Sequence, residues 1–584
     1  MWLAYRGEFT ITLEIYEEFD VSFDLVVKNG TVVDGSGGAS YRADVGVTDG
    51  RITAIGRINE KSKQSIDAEG HVVSPGFIDG HTHMDAQIFW DPIGSCSCYH
   101  GVTSAIMGNC GFTLAPCAKE DADLVFRNLE RAEDISREAM LAGIDWTWET
   151  FPEYLDTLDR LPKGINYGGY IGHSALRTYV MGEKAFEHEA NDDEVRTMQG
   201  LVKEAMHAGA RGFSTSRTIN HITADDRPVA SRLAGWDEVR AIVNAVGETG
   251  KGVFEIAGEG PSARDPEAVR EYQCRLRDLA IESGVTQSWG MFSSRSVPEH
   301  WKSYFDLLDE TAAGGGRMFA QVHSRGLNTL LSFETNLPFD NWDTWVEFRA
   351  LDLEQQKAKL RDPAVKAKLV EVASRPYTGP RVVGAEPRPP KWEYIYPMDD
   401  MQYDKASMAQ LASERGVHPA ELMIDMALER DLKMFFRAPI ANEDMSEVIQ
   451  LIKHPRSVVT FSDSGAHVSQ IMDSSLQTHL LSYWVREKQA LTLEDAVRQL
   501  TYNPSTMWGL HDRGLIREGM AADLLVFDPD TIGANMPEVM HDLPAGATRL
   551  KQTSTGIKHT VVNGEILLTN NEHTGAVPGK LLRS

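Results

Sequence analysis

Eight short apolar segments alternate with helical patterns over residues 72–465 of this 584-residue chain, and this alternation constrains the fold more than any other feature. Stretches such as "NDDEVRTMQGLVKEAMHAGA", which lies between two of them, space their apolar residues as amphipathic helices do. Because strands that alternate with helices form parallel sheets, we predict an α/β fold, a (β/α)8 TIM-like barrel. The eight segments are "VVSPGFIDGH", "VTSAIMGNCG", "INYGGYIGH", "GARGFSTS", "KGVFEIAG", "GVTQSWGMF", "GRMFAQVHS" and "SVVTFSDSG".

Both ends of the chain carry signals of β-hairpins. In "FDLVVKNGTVVDGSG" an Asn-Gly pair separates two apolar runs, and "DVGVTDGRITAIG" repeats the pattern with Asp-Gly. The closing segment "IKHTVVNGEILLTN" has the same form. We predict that residues 23–75 and 516–584 together build one small β-sandwich, with two independent hairpins as the alternative.

The predicted division of the chain has four parts. Residues 1–22 are an N-terminal extension, 23–75 the first part of the sandwich, 76–515 the barrel and 516–584 the second part of the sandwich. Residues 335–400 of the barrel, rich in Trp, Pro and charged residues, are predicted to be an insertion. This insertion is interpreted as a lid over the barrel mouth, an interface element or an apolar wall for a substrate.

Charge and cysteine content limit the partners and the compartment. A formal net charge of −27 argues against nucleic acid and against anionic membrane surfaces. No apolar run reaches the about 20 residues of a membrane helix, and the first residues do not have the pattern of a signal peptide. Five cysteines are an odd number and few for this length, which indicates a reducing compartment, so we expect the cytoplasm.

His81 and His83, in "GFIDGHTHMD", end the first predicted strand. Alternate side chains of an extended strand share a face, so the two imidazoles point the same way and Thr82 points away. Two adjacent imidazoles at the end of a buried strand are costly unless they bind something, and a divalent metal is the candidate. The alternative is a surface turn that contains two histidines.

Other predicted strands also end in polar residues that bind metals. Cys110 follows the second strand, Glu255 lies in the fifth and Asp463 follows the eighth. In a barrel these residues converge on one mouth, and histidine, cysteine and carboxylates are the ligands that zinc prefers. A carboxylate beside a metal-activated water can accept its proton and pass it to a leaving nitrogen. The strand ends therefore predict a metal-dependent hydrolase.

The motifs "SPGFIDGHTHMD", "GVTSAIMGNCGFTLAP", "YIGHSALR", "GARGFSTS" and "FSDSGAHV" resemble those of the amidohydrolase superfamily, and within it the N-acyl-D-amino-acid deacylases. The resemblance extends from about Phe23 to the last residue, with breaks over 260–460. It implies a zinc-bearing barrel joined to a β-sandwich from both chain ends. It also implies metal binding by His81 and His83, a bridging Cys110 in place of a carboxylated lysine, and Asp463 as both metal neighbour and general base.

Two histidines that this resemblance leads us to expect are missing. Glu255, in "VFEI", replaces the histidine of the fifth strand, and the sixth segment "VTQSWGMF" contains none. We predict Glu255 to be a metal ligand, with an ion pair to Arg211 or Arg217 and a substrate contact as alternatives. The missing imidazoles predict one firmly bound zinc ion and leave a second ion in doubt.

Five further residues are predicted to contact the substrate. Arg217 and Arg325 each follow a strand and are candidates to clamp a carboxylate. His173 is a candidate to hydrogen-bond substrate or an oxyanion, or to anchor a loop. His323 is a candidate to replace a lost imidazole, or is ordinary barrel packing. His467 either orients the nearby aspartate, touches substrate or caps the next helix.

The predicted function is metal-dependent hydrolysis of a non-peptide C–N bond in a small-molecule amide, most simply an N-acyl amino acid, by a water that Asp463 deprotonates. Cyclic amides, carbamates and esters are alternative substrates. A barrel that has lost hydrolysis and only binds a ligand, or catalyses a lyase or isomerase step, is the alternative from another class, because a fold alone does not assign chemistry. Association into a homo-oligomer is compatible with either.

Overall fold

The computed structural model describes residues 22–379, 382–384, 386 and 388–584, so residues 1–21 of the predicted extension lie outside the described residues. Its first five strands belong to one sheet, in which β1 pairs antiparallel with β2, and β2 with β3. Asp49 and Gly50 connect β2 to β3 with φ of 51° and 73°, as a two-residue hairpin turn requires. The strands are β1 (Phe23–Val32), β2 (Tyr41–Thr48), β3 (Arg51–Gly56), β4 (Ser62–Asp67) and β5 (Val72–Pro75).

The hairpin predicted at Asn29-Gly30 is wrong. β1 continues through this pair, and its register against β2 shifts between Val27 and Gly30. A Cβ atom on Gly30 would lie 2.3 Å from Cγ2 of Val73, because β5 packs closely there. The glycine therefore permits a close approach of strands within a bulge instead of a chain reversal.

Parallel strands form the centre of the molecule, and each predicted apolar segment up to residue 324 contains one of them. β6, β7 and β8 pair in parallel, and β9 to β13 continue the parallel order, with only Tyr170 between β8 and β9. These strands are short and almost entirely buried, as expected for strands covered on both faces. They are β6 (Phe77–Asp79), β7 (Val102–Met107), β8 (Asn166–Gly169), β9 (Ile171–Gly172), β10 (Gly212–Ser216), β11 (Val253–Ala257), β12 (Thr286–Gly290) and β13 (Met318–Val322).

Helices occupy the connections between these strands, which confirms the predicted α/β class. Asn191 caps the helix that the sequence pattern predicts most clearly, α5, and Glu194 completes a capping box. Thr150 and Glu153 begin α3 in the same way. The helices are α1 (Ala122–Leu129), α2 (Arg137–Gly143), α3 (Phe151–Arg160), α4 (His173–Met181), α5 (Asp192–Ala208), α6 (Trp236–Gly247), α7 (Pro266–Ser283) and α8 (Trp301–Ala313).

The inserted elements run from residue 327 to 441 and so extend beyond the predicted 335–400. β14, β16 and β15 form an antiparallel sheet in that order, and the helices pack around a separate hydrophobic cluster. Trp345 is fully buried in this cluster, so its ring supports the insertion itself and does not face a cavity. The elements are β14 (Leu327–Leu331), α9 (Asp343–Arg349), α10 (Leu353–Leu360), α11 (Pro363–Ala373), β15 (Tyr396–Met398), α12 (Met408–Arg415), α13 (Pro419–Leu428) and β16 (Phe435–Ala441).

The chain then returns to the parallel strands. β17 pairs in parallel with β13, and a parallel bridge between Thr82 and Ser464 connects the segment after β17 to the segment after β6. The N–H of His83 donates to the carbonyl of Ser464 at 2.7 Å. The elements are α14 (Met445–Lys453), β17 (Ser457–Val459), α15 (Leu476–His479), a π-helix (Leu480–Glu487), α16 (Leu493–Leu500) and α17 (Tyr502–Met507).

Strands from the C-terminal end complete the first sheet, so the alternative of two independent hairpins is wrong. The order is β25-β24-β23-β18-β5-β1-β2-β3, with β4 beside β1, because β18 pairs antiparallel with both β5 and β23. Asn563 and Gly564 form the predicted turn between β23 and β24. The strands that join it are β18 (Leu524–Phe527), β23 (Ile557–Val562), β24 (Glu565–Thr569) and β25 (Glu572–His573). Two separate antiparallel pairs are β19 (Gly533–Ala534) with β22 (Ser554–Thr555) and β20 (Glu538–Met540) with β21 (Arg549–Lys551).

Among the described residues, no helix combines the length and the apolar character that crossing a bilayer requires.

Candidate metal centre

His81 and His83 lie directly after β6 and face the same carboxylate. Oδ1 of Asp463 is 3.5 Å from Nε2 of His81 and 3.2 Å from Nε2 of His83. Thr82, between the two histidines, points away and donates through Oγ1 to the carbonyl of Ile106 at 2.9 Å. The alternation of an extended segment therefore brings the two imidazoles to one point, with their side chains almost fully buried.

Cys110 brings a sulfur to the same point from the turn after β7. Its Sγ lies 3.5 Å from Nε2 of His81. Cys110 and Asp463 both have left-handed backbone, with φ of 56° and 58°. Residues other than glycine adopt this region only when the surroundings hold them there, and such residues concentrate at functional sites.

Glu255 holds the Cys110 turn in place. It is fully buried in β11, and its Oε2 accepts a hydrogen bond from the Cys110 N–H at 2.7 Å. Its Oε1 lies 3.9 Å from Nδ1 of His81 and has no hydrogen-bond partner. The two arginines considered as ion-pair partners bind elsewhere: Arg211 donates to the carbonyls of residues 582 and 583, and Arg217 pairs with Glu259.

Glu133 and His221 join the centre although the sequence pattern did not indicate them. Oε2 of Glu133 is 3.6 Å from Nε2 of His83, and Nε2 of His221 is 3.8 Å from Oε1 of Glu133. Glu133 precedes α2 and His221 lies in the loop after β10, so neither directly follows a strand. A rule based on strand ends therefore does not identify them.

Three sets of side chains have ligand atoms within 4.8 Å of one another among the described residues. Cys110 belongs to two of these sets, and Glu255 belongs to none of them. The three sets are His81, His83 and Cys110; Cys110, Glu133 and His221; and His83, Glu133 and Asp463.

The donor atoms fit a tetrahedral zinc site. Zinc bound at about 2.0–2.3 Å by nitrogen, oxygen and sulfur separates neighbouring donors by about 3.3–3.7 Å. Oδ1 of Asp463 lies 3.5 Å and 3.2 Å from the imidazoles of His81 and His83, and Sγ of Cys110 lies 3.5 Å from that of His81. Both ring nitrogens of His83, Oε1 of Glu133 and Oε1 of Glu255 are buried without a hydrogen-bond partner. Buried polar atoms of this kind are costly, and a cation would satisfy them.

Two effects shift the pKa values of the residues at the centre: burial, which opposes ionisation, and the charges of neighbouring imidazoles and carboxylates, which favour it at Asp463 and His83. Burial opposes ionisation of Asp463, but the imidazoles of His83, His467 and His81 lower its pKa below the ordinary value. Burial of the imidazolium form lowers the pKa of His81 to about 3. At His83 the effect of burial is smaller than that of the neighbouring carboxylates of Glu133 and Asp463, which raise the pKa of this histidine to about 9.

The other acidic groups of the centre resist ionisation because they are buried. Burial raises the pKa of Glu255 to about 8 and that of Glu133 above its ordinary value. Burial, with the neighbouring carboxylates, raises the pKa of the Cys110 thiol well above its usual range. A divalent cation would favour the ionised forms of all three groups, and of these Cys110 and Glu133 belong to the sets of candidate ligands.

A cavity of about 300 Å³ opens over these residues. Its apolar wall includes Phe292, Leu327 and Phe461, and Arg388 from the insertion also lines it. The residues of the centre that face it are His81, Cys110, Glu133, His221, Glu255, Asp463 and His467.

Of the five predicted substrate contacts, the structure brings only His467 to this cavity. Its Nε2 is 3.6 Å from Glu133 and 3.8 Å from Asp463. The proposed carboxylate clamp of Arg217 and Arg325 does not form, because these guanidinium groups bind Glu259 and Asp473 instead. His323 is fully buried 3.8 Å from the same Asp473, outside the cavity lining. Among the described lining residues, Arg388 is the one arginine.

His173 belongs to a buried polar cluster behind the sheet. Its Nδ1 contacts Thr215 at 2.8 Å and its Nε2 contacts Oε1 of Glu238 at 2.9 Å, which leaves no ring nitrogen for a substrate. Arg177 donates to the same Glu238 oxygen at 2.6 Å. These contacts match the predicted role of His173 as an anchor for a loop and do not match the predicted contact with substrate or an oxyanion.

Replacing Glu238 with glutamine is expected to lower the free energy of unfolding by about 3 kcal/mol at pH 7, because it leaves the buried Arg177 charge uncompensated. Burial alone would raise the pKa of Glu238, but hydrogen bonds from His173 and Arg177 lower it from 4.5 to about 2. Its stabilisation is therefore complete above pH 4.5 and declines as the pH falls towards 2. Denaturant unfolding of both proteins at pH 7 and pH 3 measures this.

The matched control is Glu282→Gln, because Glu282 pairs with Arg240 at the exposed surface. This change is expected to cost less than about 1 kcal/mol. Equal losses for the two variants would contradict a special role of the buried cluster.

A model of the Amidohydrolase family matches residues 64–568. An N-acyl-D-aspartate deacylase of Alcaligenes xylosoxydans xylosoxydans is 27% identical over 563 residues, which cover 96% of this chain and 95% of the relative. A solved D-aminoacylase, described with a binuclear metal center, has a TM-score of 0.65 at 22% identity, over 96% of this chain and 100% of the other. A solved N-acyl-D-glutamate deacylase from Bordetella bronchiseptica, complexed with zinc and a phosphonate inhibitor, has a TM-score of 0.63 at 21% identity, with the same coverage.

Proposed function

This chain belongs to the Amidohydrolase family, and from that premise we propose that it is a metal-dependent hydrolase that cleaves the amide bond of N-acyl amino acids. The family assignment gives a hydrolase of non-peptide C–N bonds. The names of the relatives, which act on N-acyl-D-aspartate and N-acyl-D-glutamate, support N-acyl amino acids as the substrate class.

We infer that the parallel strands close into a (β/α)8 barrel. The parallel pairing of β6 to β8, and of β9 to β13 with β17, supports closure, and so does the bridge between Thr82 and Ser464. We also propose that residues 76–515 form the barrel, and that 23–75 and 516–584 form one β-sandwich. The sheet that joins strands from both chain ends supports this division.

One observation carries the proposal: a single carboxylate oxygen of Asp463 lies within 3.5 Å of two imidazoles, and a cysteine sulfur lies beside one of them. These residues follow three strands, β6, β7 and β17, and lie far apart in the chain. Their types and spacing match zinc, which we propose as the metal. We assign His81, His83, Cys110 and Asp463 as its ligands.

A zinc ion bound there supplies polarisation of the amide carbonyl and activation of a water. The two carboxylate oxygens of Asp463 contact different groups. Oδ1 faces the imidazoles of His81 and His83, and Oδ2 lies 3.8 Å from Nε2 of His467. We assign Oδ2 to accept the proton of the attacking water and to donate it to the departing nitrogen. His467 positions this oxygen, and Arg388 at the cavity wall is our candidate for the substrate carboxylate.

We propose a second cation position built from Cys110, Glu133 and His221. The ligand atoms of these three residues lie within 4.8 Å of one another, and the sulfur is common to both positions. Glu133 and His221 would thus replace the two imidazoles missing from the fifth and sixth strands. The D-aminoacylase with a binuclear metal center supports a second ion as a property of such sites.

Cytoplasmic location is also part of the proposal, and all five cysteines being free thiols supports a reducing compartment. Association into a homo-oligomer stays a prediction.

The proposal is tested with zinc-loaded protein and a panel of N-acyl-D- and N-acyl-L-amino acids, by measuring release of the free amino group. We expect hydrolysis with one stereochemical series preferred, loss of activity with a chelator and recovery with zinc. Cyclic amides, carbamates and esters in the same panel identify the alternative substrates. Folded protein that binds no metal and cleaves no compound of the panel would support the ligand-binding alternative instead.

A further inference from the structure

A second cavity lies beside the metal cavity and is lined by aromatic side chains. Its volume is about 210 Å³. We propose that it binds an uncharged aromatic ring, or an apolar group of similar size, carried by the substrate. This inference rests on the proposed function, because it concerns which N-acyl amino acids the metal centre receives.

The aromatic and aliphatic walls of this cavity come from three consecutive elements. Tyr272 and Leu276 lie on α7, and Trp301 and Tyr304 lie on α8. The end of β12 and the loop after it contribute Trp289, Met291, Phe292 and Val297. The remaining lining residues are Gly258, Gly260, Gly290, Ser294 and His300. Helices packed on a parallel strand present these rings, so the cavity is set by rigid elements.

Two glycines and a phenylalanine belong to the walls of both cavities: Gly258, Gly290 and Phe292. A Cβ atom on Gly290 would lie 2.5 Å from Cε2 of Phe461, whose ring stacks on His81 at 3.8 Å between centroids. The rings of Phe461 and Phe292 thus fill the space beside Gly290, and the shared lining residues place the two cavities directly against each other. A group carried by a substrate at the metal therefore lies next to the aromatic cavity.

The size and chemistry of the cavity select its occupant. Apolar cavities of about 150 Å³ hold benzene, so a cavity of about 210 Å³ accommodates a phenyl ring with a short linker. None of the described lining residues is Asp, Glu, Lys or Arg, and burial lowers the pKa of the one lining histidine, His300, from 6.5. A charged side chain would therefore lose its hydration at pH 7 without gaining a partner of opposite charge. The aspartate and glutamate side chains named for the relatives are thus disfavoured here.

The ring has two possible positions in an N-acyl amino acid: the acyl group or the amino-acid side chain. N-phenylacetylglycine carries it on the acyl side, and the two enantiomers of N-acetylphenylalanine carry it on the other side. Comparing each with N-acetylglycine distinguishes the two. For the productive arrangement we expect kcat/KM at least about 10-fold higher than for N-acetylglycine, in keeping with burial of a phenyl ring.

The variant Val297→Phe tests the cavity itself, because it fills space at a half-exposed loop position of the wall. We expect it to reduce the ratio of kcat/KM for the aryl substrate over N-acetylglycine at least about 10-fold. The matched control is Val346→Phe, which makes the same change at a position 51% exposed on α9, outside both cavities, and should leave that ratio unchanged.

A binding measurement separates this inference from the proposed function. Calorimetric titration of zinc-loaded protein with phenylacetate, with N-acetyl-D- and L-phenylalanine as further probes, should show tighter binding of at least one aryl ligand than of acetate, and Val297→Phe should remove the difference. Turnover of N-acetylglycine with no aryl preference in kinetics or binding would overturn the inference and leave the function standing. Aryl binding without any hydrolysis would overturn the function alone.

Discussion

Replacing Asp463 with asparagine is expected to reduce kcat/KM for the best N-acyl amino acid by at least about 10³-fold, while the protein remains folded. The amide retains an oxygen of similar size near the imidazoles, 3.2 Å from His83 in the native residue, so the packing changes little. It can neither accept the proton of the attacking water nor return it to the departing nitrogen. Steady-state kinetics on zinc-loaded wild-type and variant protein, with circular dichroism to verify folding, measure the effect.

Asp278→Asn is the matched control, since Asp278 pairs with Arg277 on the exposed face of α7. It should retain wild-type kinetics. Zinc content must be measured in parallel, because Asp463 is also assigned as a ligand. An Asp463→Asn protein that turns over substrate at the wild-type rate would exclude Asp463 as the proton carrier, whatever its zinc content.

Replacing Cys110 with alanine is expected to weaken zinc binding more than any other single change at the centre. Its sulfur is the one donor common to the set with His81 and His83 and the set with Glu133 and His221. Loss of even an outer-shell partner weakens metal binding by about 10- to 100-fold, so loss of a shared ligand should exceed this at both positions. His221→Ala should affect only the second position.

Zinc content by mass spectrometry after dialysis at fixed free zinc gives the readout. We expect up to two zinc ions per wild-type chain, one for His221→Ala and none for Cys110→Ala. Cys274→Ala, on α7 away from the cavity, is the cysteine control and should retain wild-type zinc. Full zinc retention by Cys110→Ala would refute the shared-ligand assignment, and full retention by His221→Ala would refute the second position alone.

Local patterns predicted the strands and several turns well because those features depend on neighbouring residues. The β2–β3 and β23–β24 turns follow from Asp-Gly and Asn-Gly between apolar runs. The same signal failed at Asn29-Gly30, where packing of Val73 against the strand decides in favour of a bulge. A turn dipeptide shows that the backbone can adopt positive φ angles at that position. The packing of the neighbouring strand determines whether the chain forms a turn or a bulge there.

The sequence alone determined that His81, His83, Cys110, Glu255 and Asp463 would approach one another, because residues at the ends of parallel strands meet at one edge. Only the tertiary structure decided which other groups joined them. Glu133 and His221 arrive on loops, and loop positions depend on packing between residues that are far apart in the chain. The same dependence places the guanidinium groups of Arg217 and Arg325 against Glu259 and Asp473 instead of in the cavity. Strand periodicity is a local property of the chain, whereas the partner of a long polar side chain depends on which groups the tertiary fold brings within its reach.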